Sequence, residues 1–526
     1  MARFAIPAVL VPLACLMSSA GQSADLGPKT TRMWDCAEWR LTNPSYPGNP
    51  FDLIAKATFI HKGTDRRHVT EMFYVGDKGW SFRFTGTATG QWSFTTSSDD
   101  PDLDGHAGEV SVLPNDDPTI KGFLTHRGSR YAIRTGNDGR LEGYLFNVYM
   151  NQQDFAMQHR QDKPGPIEDR ERVDDYFSDA RETGFDVVFY FLTHHVFRLG
   201  AVQAHEHDSV NPDLRTFANL DYIVRYSHQR GGRVHFWCWG DAARRQTPAR
   251  LPGGINGPVD RRLQRYIAAR LGPLPGWSMG YGYDLHEWTT AEQVRAWADY
   301  LHGHMGWQHL LSARGQVLDG PGNISSYDGF GRDVPLHTTR HGPADYGEIA
   351  EDLEGDTARP HLYEERHTYQ RDGFDLDMDG SRRLIWRLAM AGGMGGFFGY
   401  YSQWFNRWGP FKGKYPNPEQ FRTHRAFWRG RFLLDMERRN DLTDGHCLAS
   451  PGSEHYVFYR EQASSIWMDL SSALRPLPAV AIDTRAEYEK IALGALQATP
   501  QTWNAPRESD WAVAVGVHAT GRSERP

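Results

Sequence analysis

The chain has 526 residues, which is too many for one ordinary domain, and its 39% hydrophobic content is enough to form several large cores. The formal charge of −7, with no stripe of clustered Lys and Arg, argues against nucleic-acid binding, because affinity for phosphates depends on such clusters. The cysteines beyond the first 20 residues are Cys36, Cys238 and Cys447, and their odd number and wide spacing exclude a disulfide framework and any CxxC zinc motif.

Residues 1–20 predict a signal peptide. Arg3 provides the positive start, Ala5 to Met17 form the apolar run, and Ser18-Ser19-Ala20 offer small residues for cleavage. The apolar run is short for a membrane span, and no later run is long enough. We therefore expect an exported protein, periplasmic or secreted, without a membrane span.

Residues 26–117 alternate apolar and polar side chains in short runs separated by Gly and Asp turns. This pattern predicts an N-terminal β-sandwich. The predicted strands are Phe51–Phe59, Glu71–Val75, Trp80–Thr85 and Gln91–Thr96.

Residues 118–437 have a different sequence pattern, in which apolar strand-like runs alternate with amphipathic helical stretches. Buried strands separated by helices indicate a parallel sheet covered by helices, and eight strands fit a closed (β/α)8 TIM barrel in an α/β fold. An open doubly wound sheet is the alternative, but 147–151 lack the Gly-rich phosphate turn that usually follows its first strand. The runs are Tyr144–Tyr149, Phe185–Phe191, Val234–Trp239, Trp277–Tyr283, His309–Ser312, Val334–Thr338, His361–Glu364 and Gly395–Gly399. The helical stretches are Arg170–Thr183, Asp213–Gln229, Asp260–Ala269, Ala291–His304, Ser381–Ala391 and Pro418–Met436.

Residues 438–520 return to a β pattern and predict a small C-terminal β domain. Its predicted strands are His455–Tyr459, Ser465–Leu470 and Trp511–Val517. We expect both flanking β domains to buttress the barrel by covering its strands.

Acidic residues follow two of the predicted barrel strands. Asp284 and Glu287 come after the fourth strand, and Glu364 and Glu365 end the seventh. Reactive groups of such barrels lie at the carboxyl ends of strands, and glycoside cleavage needs two carboxylates across the scissile bond. The structural alternatives are that Asp284 or Glu287 caps the helix starting near Thr289, and that Glu364 pairs with Arg366.

Other residues at the strand ends suit a sugar site, because sugars are held by polar contacts and aromatic stacking. The candidates for substrate binding are His194, His195, Trp237, Trp239, Tyr281, Tyr283, Arg314, His337, Arg340, Tyr400 and Trp404.

Two segments resemble metal sites. Asp375 to Gly380 copies the start of a calcium loop but has Trp386 where the bidentate Glu belongs, and Asp377 with its neighbours also suits a helix N-cap cluster. His205 to Asp208 is rich in ligands but lacks the HExxH spacing. We predict a mechanism without metal or cofactor.

The order of domains resembles a group of bacterial proteins described as glycoside hydrolases. These have an uncharacterised N-terminal β-sandwich, an apiosidase-like barrel and a C-terminal β domain of the collagen-binding type. The similarity covers nearly the whole mature chain and rests on the following segments: Trp80-Ser81-Phe82-Arg83-Phe84, Thr89-Gly90-Gln91-Trp92-Ser93-Phe94, Ala391 to Gly396, Leu448 to Gly452 and Asp510-Trp511.

The resemblance implies a nucleophilic Glu at strand seven, which corresponds to Glu364, with Glu365 beside it. It also implies an Asn-Glu pair at strand four, and there the chain departs, because Tyr283-Asp284 stands in that place with Glu287 one turn later. The acid is therefore Asp284 or Glu287.

We expect a glycoside hydrolase of a polysaccharide or oligosaccharide that uses two carboxylates, with retention favoured over inversion. The alternatives are a carbohydrate-binding protein on a degenerate barrel, or a polysaccharide lyase with Tyr281, Tyr283 or His337 as base. The sequence leaves open the sugar, the linkage and the oligomeric state.

Overall fold

The computed structural model describes residues 25–151, 168–192, 197, 210–240, 247–282, 285–313, 317–318, 324–325, 337–339, 345–363, 377–400 and 417–521. Within these ranges the chain forms two N-terminal sheets, a small three-stranded sheet, a parallel sheet with helices, and a C-terminal antiparallel sheet. Of the two N-terminal sheets, one is antiparallel and the other is mixed, because β1 and β8 pair in parallel.

The N-terminal sheets have the strand orders β1-β8-β7-β3-β4 and β2-β6-β5. Their strands are β1 Asp25–Arg32, β2 Cys36–Thr42, β3 Ala55–His61, β4 Arg67–Glu71, β5 Phe73–Gly76, β6 Gly79–Thr85, β7 Gly90–Ser98 and β8 Ala107–Leu113.

The two sheets face each other across an aromatic core. Trp39 of β2 stacks on Phe82 of its own sheet at 5.4 Å between ring centroids. It also contacts Phe94 and Phe59 of the other sheet at 4.9 Å and 5.5 Å. Because alternate side chains of each strand enter this core, the two sheets pack face to face. The predicted N-terminal β-sandwich over residues 26–117 stays a prediction as a domain.

A small sheet that the sequence did not predict precedes the parallel sheet. It contains β9 Leu124–Arg127, β10 Arg130–Thr135 and β11 Arg140–Gly143. Tyr131 contacts Phe146 at 4.9 Å and donates a hydrogen bond of 3.1 Å to the main-chain oxygen of His361. The small sheet therefore packs over the end where the parallel strands begin.

The parallel sheet has the order β16-β15-β14-β13-β12-β21-β20-β19. Its strands are β12 Asn147–Asn151, β13 Val187–Leu192, β14 Arg233–Cys238, β15 Trp277–Gly280, β16 Leu311–Ser312, β19 His337–Thr339, β20 His361–Tyr363 and β21 Gly395–Tyr400. The two-residue strands β17 Val317–Leu318 and β18 Ile324–Ser325 pair separately with each other.

The strand order resembles that of an eight-stranded barrel opened between its fifth and sixth strands. The first strand β12 pairs with the last strand β21, and each of the eight predicted runs overlaps one parallel strand. The described residues show no pairing of β16 with β19, so the prediction of parallel strands is confirmed and full closure stays a prediction.

The helices follow the predicted rhythm and begin at polar caps. Asp169 caps α1, and Thr290 caps α4 in a capping box with Gln293. The predicted final helix was too long, because the chain leaves the helical conformation before Gly430 at φ 75°. The helices are α1 Arg170–Thr183, α2 Leu214–Gln229, α3 Pro258–Leu271, α4 Ala291–His304, α5 Tyr346–Gly355, α6 Met378–Met390 and α7 Pro418–Trp428. None of the helices in the described ranges is both long and apolar enough to span a membrane.

The C-terminal sheet has the order β22-β23-β24-β27-β25-β26. Its strands are β22 Glu437–Arg438, β23 His446–Ala449, β24 His455–Asp469, β25 Leu477–Asp483, β26 Ile491–Leu496 and β27 Pro500–Gly516. Two of the strands predicted here are one long strand, β24, whose register shifts after Arg460 and Ala463. The predicted C-terminal β domain over residues 438–520 stays a prediction as a domain.

Buried ion pairs attach both flanking domains to the central helices. Asp221 of α2 accepts hydrogen bonds of 2.8 Å from each end of the Arg83 guanidinium, and Arg270 of α3 donates to the same carboxylate at 3.0 Å and 2.8 Å. On the other side, Arg382 of α6 and Asp510 of β27 form a fully buried pair at 2.5 Å. These contacts support the expected buttressing.

Candidate active site

The inner face of the parallel sheet carries an apolar cluster. Alternate residues of each strand point to this face, and their neighbours pack against the helices instead. Since the small sheet β9–β11 adds Leu124, Tyr131 and Ile133 to the cluster, the end where the strands begin is filled. Any open site must lie at the opposite end, where the strands finish. The strand residues of the cluster are Val148, Met150, Val187, Phe189, Trp237, Leu362 and Phe397.

Trp237 is the predicted sugar-binding residue that the structure places on this inner face. Its side chain is 6% exposed, and its ring lies 5.5 Å from Phe189. The indole passes close over Gly280 of the next strand, because a Cβ atom added there would lie 2.2 Å from Cδ1 and Nε1 of Trp237. Gly280 is therefore required as a glycine for the indole to cross strand β15.

Ser312 lies beside this pair at the end of β16. Its hydroxyl oxygen would be 3.0 Å from the same added Cβ. Within the described ranges this oxygen is buried and has no hydrogen-bond partner. A buried hydroxyl without a partner costs free energy, so Ser312 is available to a ligand or a water molecule.

His235 of β14 and Ser278 of β15 lie two residues before Trp237 and Gly280 on the same two strands. Their side chains form a hydrogen bond of 2.8 Å. Both are fully buried, and burial lowers the pKa of His235 to about 3, so its ring is neutral. Sequence reasoning missed His235, Ser278, Gly280 and Ser312. Only Gly280 gave a usable signal in the sequence, because a glycine inside a strand often marks a place where another group packs closely on the backbone.

Trp239 ends the third strand in a left-handed conformation, with φ 74°. Its N–H donates to the main-chain oxygen of Leu192 at 2.9 Å, and its ring lies 5.7 Å from Phe197. A bulky residue in this region costs about 1–3 kcal/mol, so the surrounding packing must hold it there. Trp239 is 2% exposed and belongs to the helix-facing core.

Tyr281 also lies on the helix-facing side of the sheet. Its ring packs on Trp297 at 4.4 Å and on Trp288 at 5.4 Å. Burial raises the pKa of this phenol well above its ordinary value. Because alternation turns Tyr281 away from Gly280 and the inner face, we do not include it in the site, as substrate contact or as a lyase base.

Glu287 is exposed and lies in a single 3-10 turn, Leu285–Glu287. The next helix is capped by Thr290 rather than by Glu287. Asp284 lies outside the described residues, so the choice between the two strand-four acids stays a prediction.

Most of the remaining predicted site residues lie outside the described residues. These are Asp284, Glu364, Glu365, His194, His195, Tyr283, Arg314, Arg340 and Trp404, together with Arg366 and the segment His205 to Asp208. His337 and Tyr400 belong to strands β19 and β21, and only their backbone positions are described.

The described residues contain no group of three or more His, Cys, Asp or Glu side chains that could hold a metal ion. At the calcium-like segment, Asp377 accepts the N–H of Gly380 at 2.6 Å, which confirms its interpretation as a helix cap. Cys36, Cys238 and Cys447 are free thiols, and burial raises the pKa of each.

The comparisons with known proteins agree with this architecture. Residues 30–99 match the family described as "Domain of unknown function (DUF5060)". No curated protein matches the chain.

A solved structure described as a "putative glycoside hydrolase" from Bacteroides vulgatus ATCC 8482 superposes with a TM-score of 0.67 at 15% identity, covering 93% of this chain and 99% of that one. A glycoside hydrolase family 5 structure from the same organism has a TM-score of 0.54 at 12% identity, covering 76% and 94%. The chain therefore has an N-terminal segment of the DUF5060 type and the fold of these glycoside hydrolase structures.

Proposed function

We propose that the protein is a glycoside hydrolase that uses two carboxylates at the open end of a (β/α)8 barrel. The observation that carries the proposal is the strand order of the parallel sheet. Strands β15 and β20 both belong to this sheet and run in the same direction, and its first strand, β12, pairs with its last strand, β21. The carboxyl ends of β15 and β20 lie at the same edge of the sheet. In the sequence, the proposed acid Glu364 directly follows β20 and Asp284 comes four residues after β15.

Glu364 is the proposed nucleophile or base. Leu362 belongs to the inner cluster and Tyr363 to the helix-facing core. Because side chains alternate along a strand, a strand extended by one residue directs Glu364 inward. Tyr363 therefore supports Glu364 over Glu365 as the inward carboxylate.

The proposed substrate is a polysaccharide or oligosaccharide. Trp237 and Ser312 lie side by side on the inner face near the ends of β14 and β16, and Ser312 has no hydrogen-bond partner among the described residues. An aromatic ring and a hydroxyl at this place suit the floor of a sugar site. The similar structures described as glycoside hydrolases support the same substrate class by their fold. The apiosidase-like character of the barrel, the collagen-binding type of the C-terminal domain, the export signal and the retaining outcome belong to this proposal as well.

A glycan screen tests the proposed activity. Plant, algal and bacterial glycans are incubated with the unmodified protein, with Glu364→Gln and with Glu292→Gln, an exposed residue of helix α4, as the control. We expect new reducing ends from the unmodified protein, a loss of about 10²–10⁴-fold or more in Glu364→Gln, and near-normal activity in the control. Equal rates in Glu364→Gln would show that this residue is misassigned.

The products also separate the alternatives. Unsaturated products that absorb ultraviolet light would indicate a lyase, and binding without any cleavage would indicate a carbohydrate-binding protein. The anomer formed first, measured by NMR, distinguishes retention from inversion, which correspond to carboxyl separations of about 5 Å and about 6.5–9.5 Å.

A further inference from the structure

A cavity of about 540 Å³ lies between the N-terminal sandwich and helices α2 and α3. Its sandwich wall includes Lys29, Glu38, Trp39, Arg40, Ser81 and Arg83. Its helix wall is formed by Asp221 and Arg270, which both join the buried ion pair with Arg83. The volume is within the range of small-molecule sites.

The strand register explains why this wall is polar. Strand β2 pairs with β6 so that Glu38 lies opposite Arg83 and Arg40 opposite Ser81. Since side chains two apart point the same way, these four residues share one face of the sheet. The intervening Trp39 points into the aromatic core of the sandwich. The polar face is therefore turned toward the cavity.

The acidic side chains that line the cavity have ion-pair partners, whereas two of the basic side chains have none among the described residues. Asp221 is bonded by both buried arginines, and Glu38 pairs with Arg83 at 2.8 Å and with Arg225 at 3.5 Å. Among the residues that the structure describes, no carboxylate lies within ion-pair distance of Lys29 or Arg40. Lys29 donates to the main-chain oxygen of Glu38, and its ammonium lies 5.0 Å from the centroid of the Trp39 ring. Arg40 makes one long bond of 3.4 Å to the main-chain oxygen of Gly76. Four basic and two acidic side chains line the cavity, so it carries excess positive charge.

We propose that this cavity binds a carbohydrate that bears a carboxylate, such as a uronate residue. Arg40 and Lys29 would hold the carboxylate, because a guanidinium forms two parallel bonds to a planar carboxylate and an ammonium adds a point charge. Glu38 and Ser81 would bond the sugar hydroxyls. Glu38 also disfavours a densely charged polyanion, which it would repel. The choice of a sugar rests on the proposed function, whereas the choice of an anion rests on the charges alone.

The binding site gives the N-terminal domain a role beyond buttressing. The cavity is lined by both the segment of the DUF5060 type and the central helices, so its ligand would contact both parts. A uronate held here would place its glycan on the surface of the enzyme.

Isothermal titration tests the proposal with the full chain carrying Glu364→Gln, which prevents the proposed cleavage. The probe is a galacturonate trisaccharide, and its fully methyl-esterified form is the neutral match. We expect the acid form to bind, the ester to bind at least about tenfold more weakly, and higher salt to weaken the acid form. Inorganic sulfate is titrated separately to detect an anion site without sugar preference.

Arg40→Met and Lys29→Met in the same background locate the binding. Each variant should bind the acid form about tenfold or more weakly. The control Arg67→Met should not change the affinity, because Arg67 is exposed on β4, at the opposite edge of its sheet from β1, which carries Lys29. Circular dichroism checks that each variant is folded.

Equal affinity for acid and ester, unchanged binding in Arg40→Met and Lys29→Met, sulfate binding as tight as that of the sugar, or no binding at all would each overturn the proposal. Because the readout is binding, a negative glycan screen would refute the proposed catalysis without affecting this result.

Discussion

The buried carboxylate of Asp221 should contribute more to stability than an exposed ion pair at the same interface. Asp221 lies between Arg83, which is 4% exposed, and Arg270, which is 7% exposed. Burial by itself raises the pKa of Asp221, but the two guanidinium groups outweigh this and hold the pKa below its ordinary value. Asp221→Asn removes the negative charge and leaves two buried cations against Glu38 alone.

Breaking such a buried pair from one side costs about 3–5 kcal/mol in the free energy of unfolding. The chain offers a matched control in Asp52, which binds Arg262 of the same helix α3 at 2.6 Å and 2.8 Å but has a side chain that is 48% exposed. Asp52→Asn should cost only about 0.2–1 kcal/mol, because water and salt screen this pair.

Urea unfolding followed by tryptophan fluorescence at pH 7 measures both losses in the same transition. The triple variant Arg83→Met, Asp221→Leu, Arg270→Met adds a second check, since replacing a whole buried ion cluster by apolar side chains often restores stability. The reasoning would be refuted if Asp52→Asn were as destabilising as Asp221→Asn, or if Asp221→Asn cost less than about 1 kcal/mol.

Two further predictions concern buried groups of the central domain. Burial raises the pKa of Asp260 to about 6, and the Asn256 N–H lowers it only in part, so between pH 4 and 6 the native state keeps a proton that the unfolded state has lost. Stability should therefore fall by up to ~3 kcal/mol over that range, and urea midpoints of Asp260→Asn should lack this decline. Gly280→Ala should displace the Trp237 indole, which changes the near-ultraviolet circular dichroism and lowers kcat/KM on an identified substrate by about 10²-fold.

A specific result would contradict each of these two predictions. A stability difference between Asp260→Asn and the unmodified protein that does not vary with pH would show that Asp260 ionises normally in the fold. For Gly280, the control is Gly303→Ala in α4, where an added Cβ has no atom within 4 Å. If both glycine variants gave the same spectrum as the unmodified protein, the close approach of Trp237 to Gly280 would be wrong.

Helix bounds were predictable where the signals are local. Arg170–Thr183 and Ala291–His304 were predicted with the bounds that the structure has, because Asp169 and Thr290 are caps that bond to the first turn of their own helix. Helix α5 was missed, although Asp345 caps it with Glu348, because it has only 10 residues and only Ile349 and Leu353 of them are buried.

The positions of the strands were predictable, but the side of the sheet that each side chain faces was predictable only in part. Alternation along the strand indicates that the side chains of Trp237 and Cys238 face opposite sides of the sheet. Which of these sides is the inner one depends on where the helices pack. For the same reason Tyr281 was taken as a site residue, whereas the structure places it against Trp297.

The amino-acid sequence by itself determined the order of the three kinds of segment, the alternation of strands and helices, and the acids that follow the fourth and seventh strands, because these depend on neighbours a few residues apart. Only the tertiary structure decided that the Trp237 indole packs on Gly280, that the Ser312 hydroxyl is buried beside it without a partner among the described residues, and that Arg83, Asp221 and Arg270 meet at an interface. Such contacts join residues more than 30 positions apart, and their energies depend on burial, which no short pattern in the chain specifies.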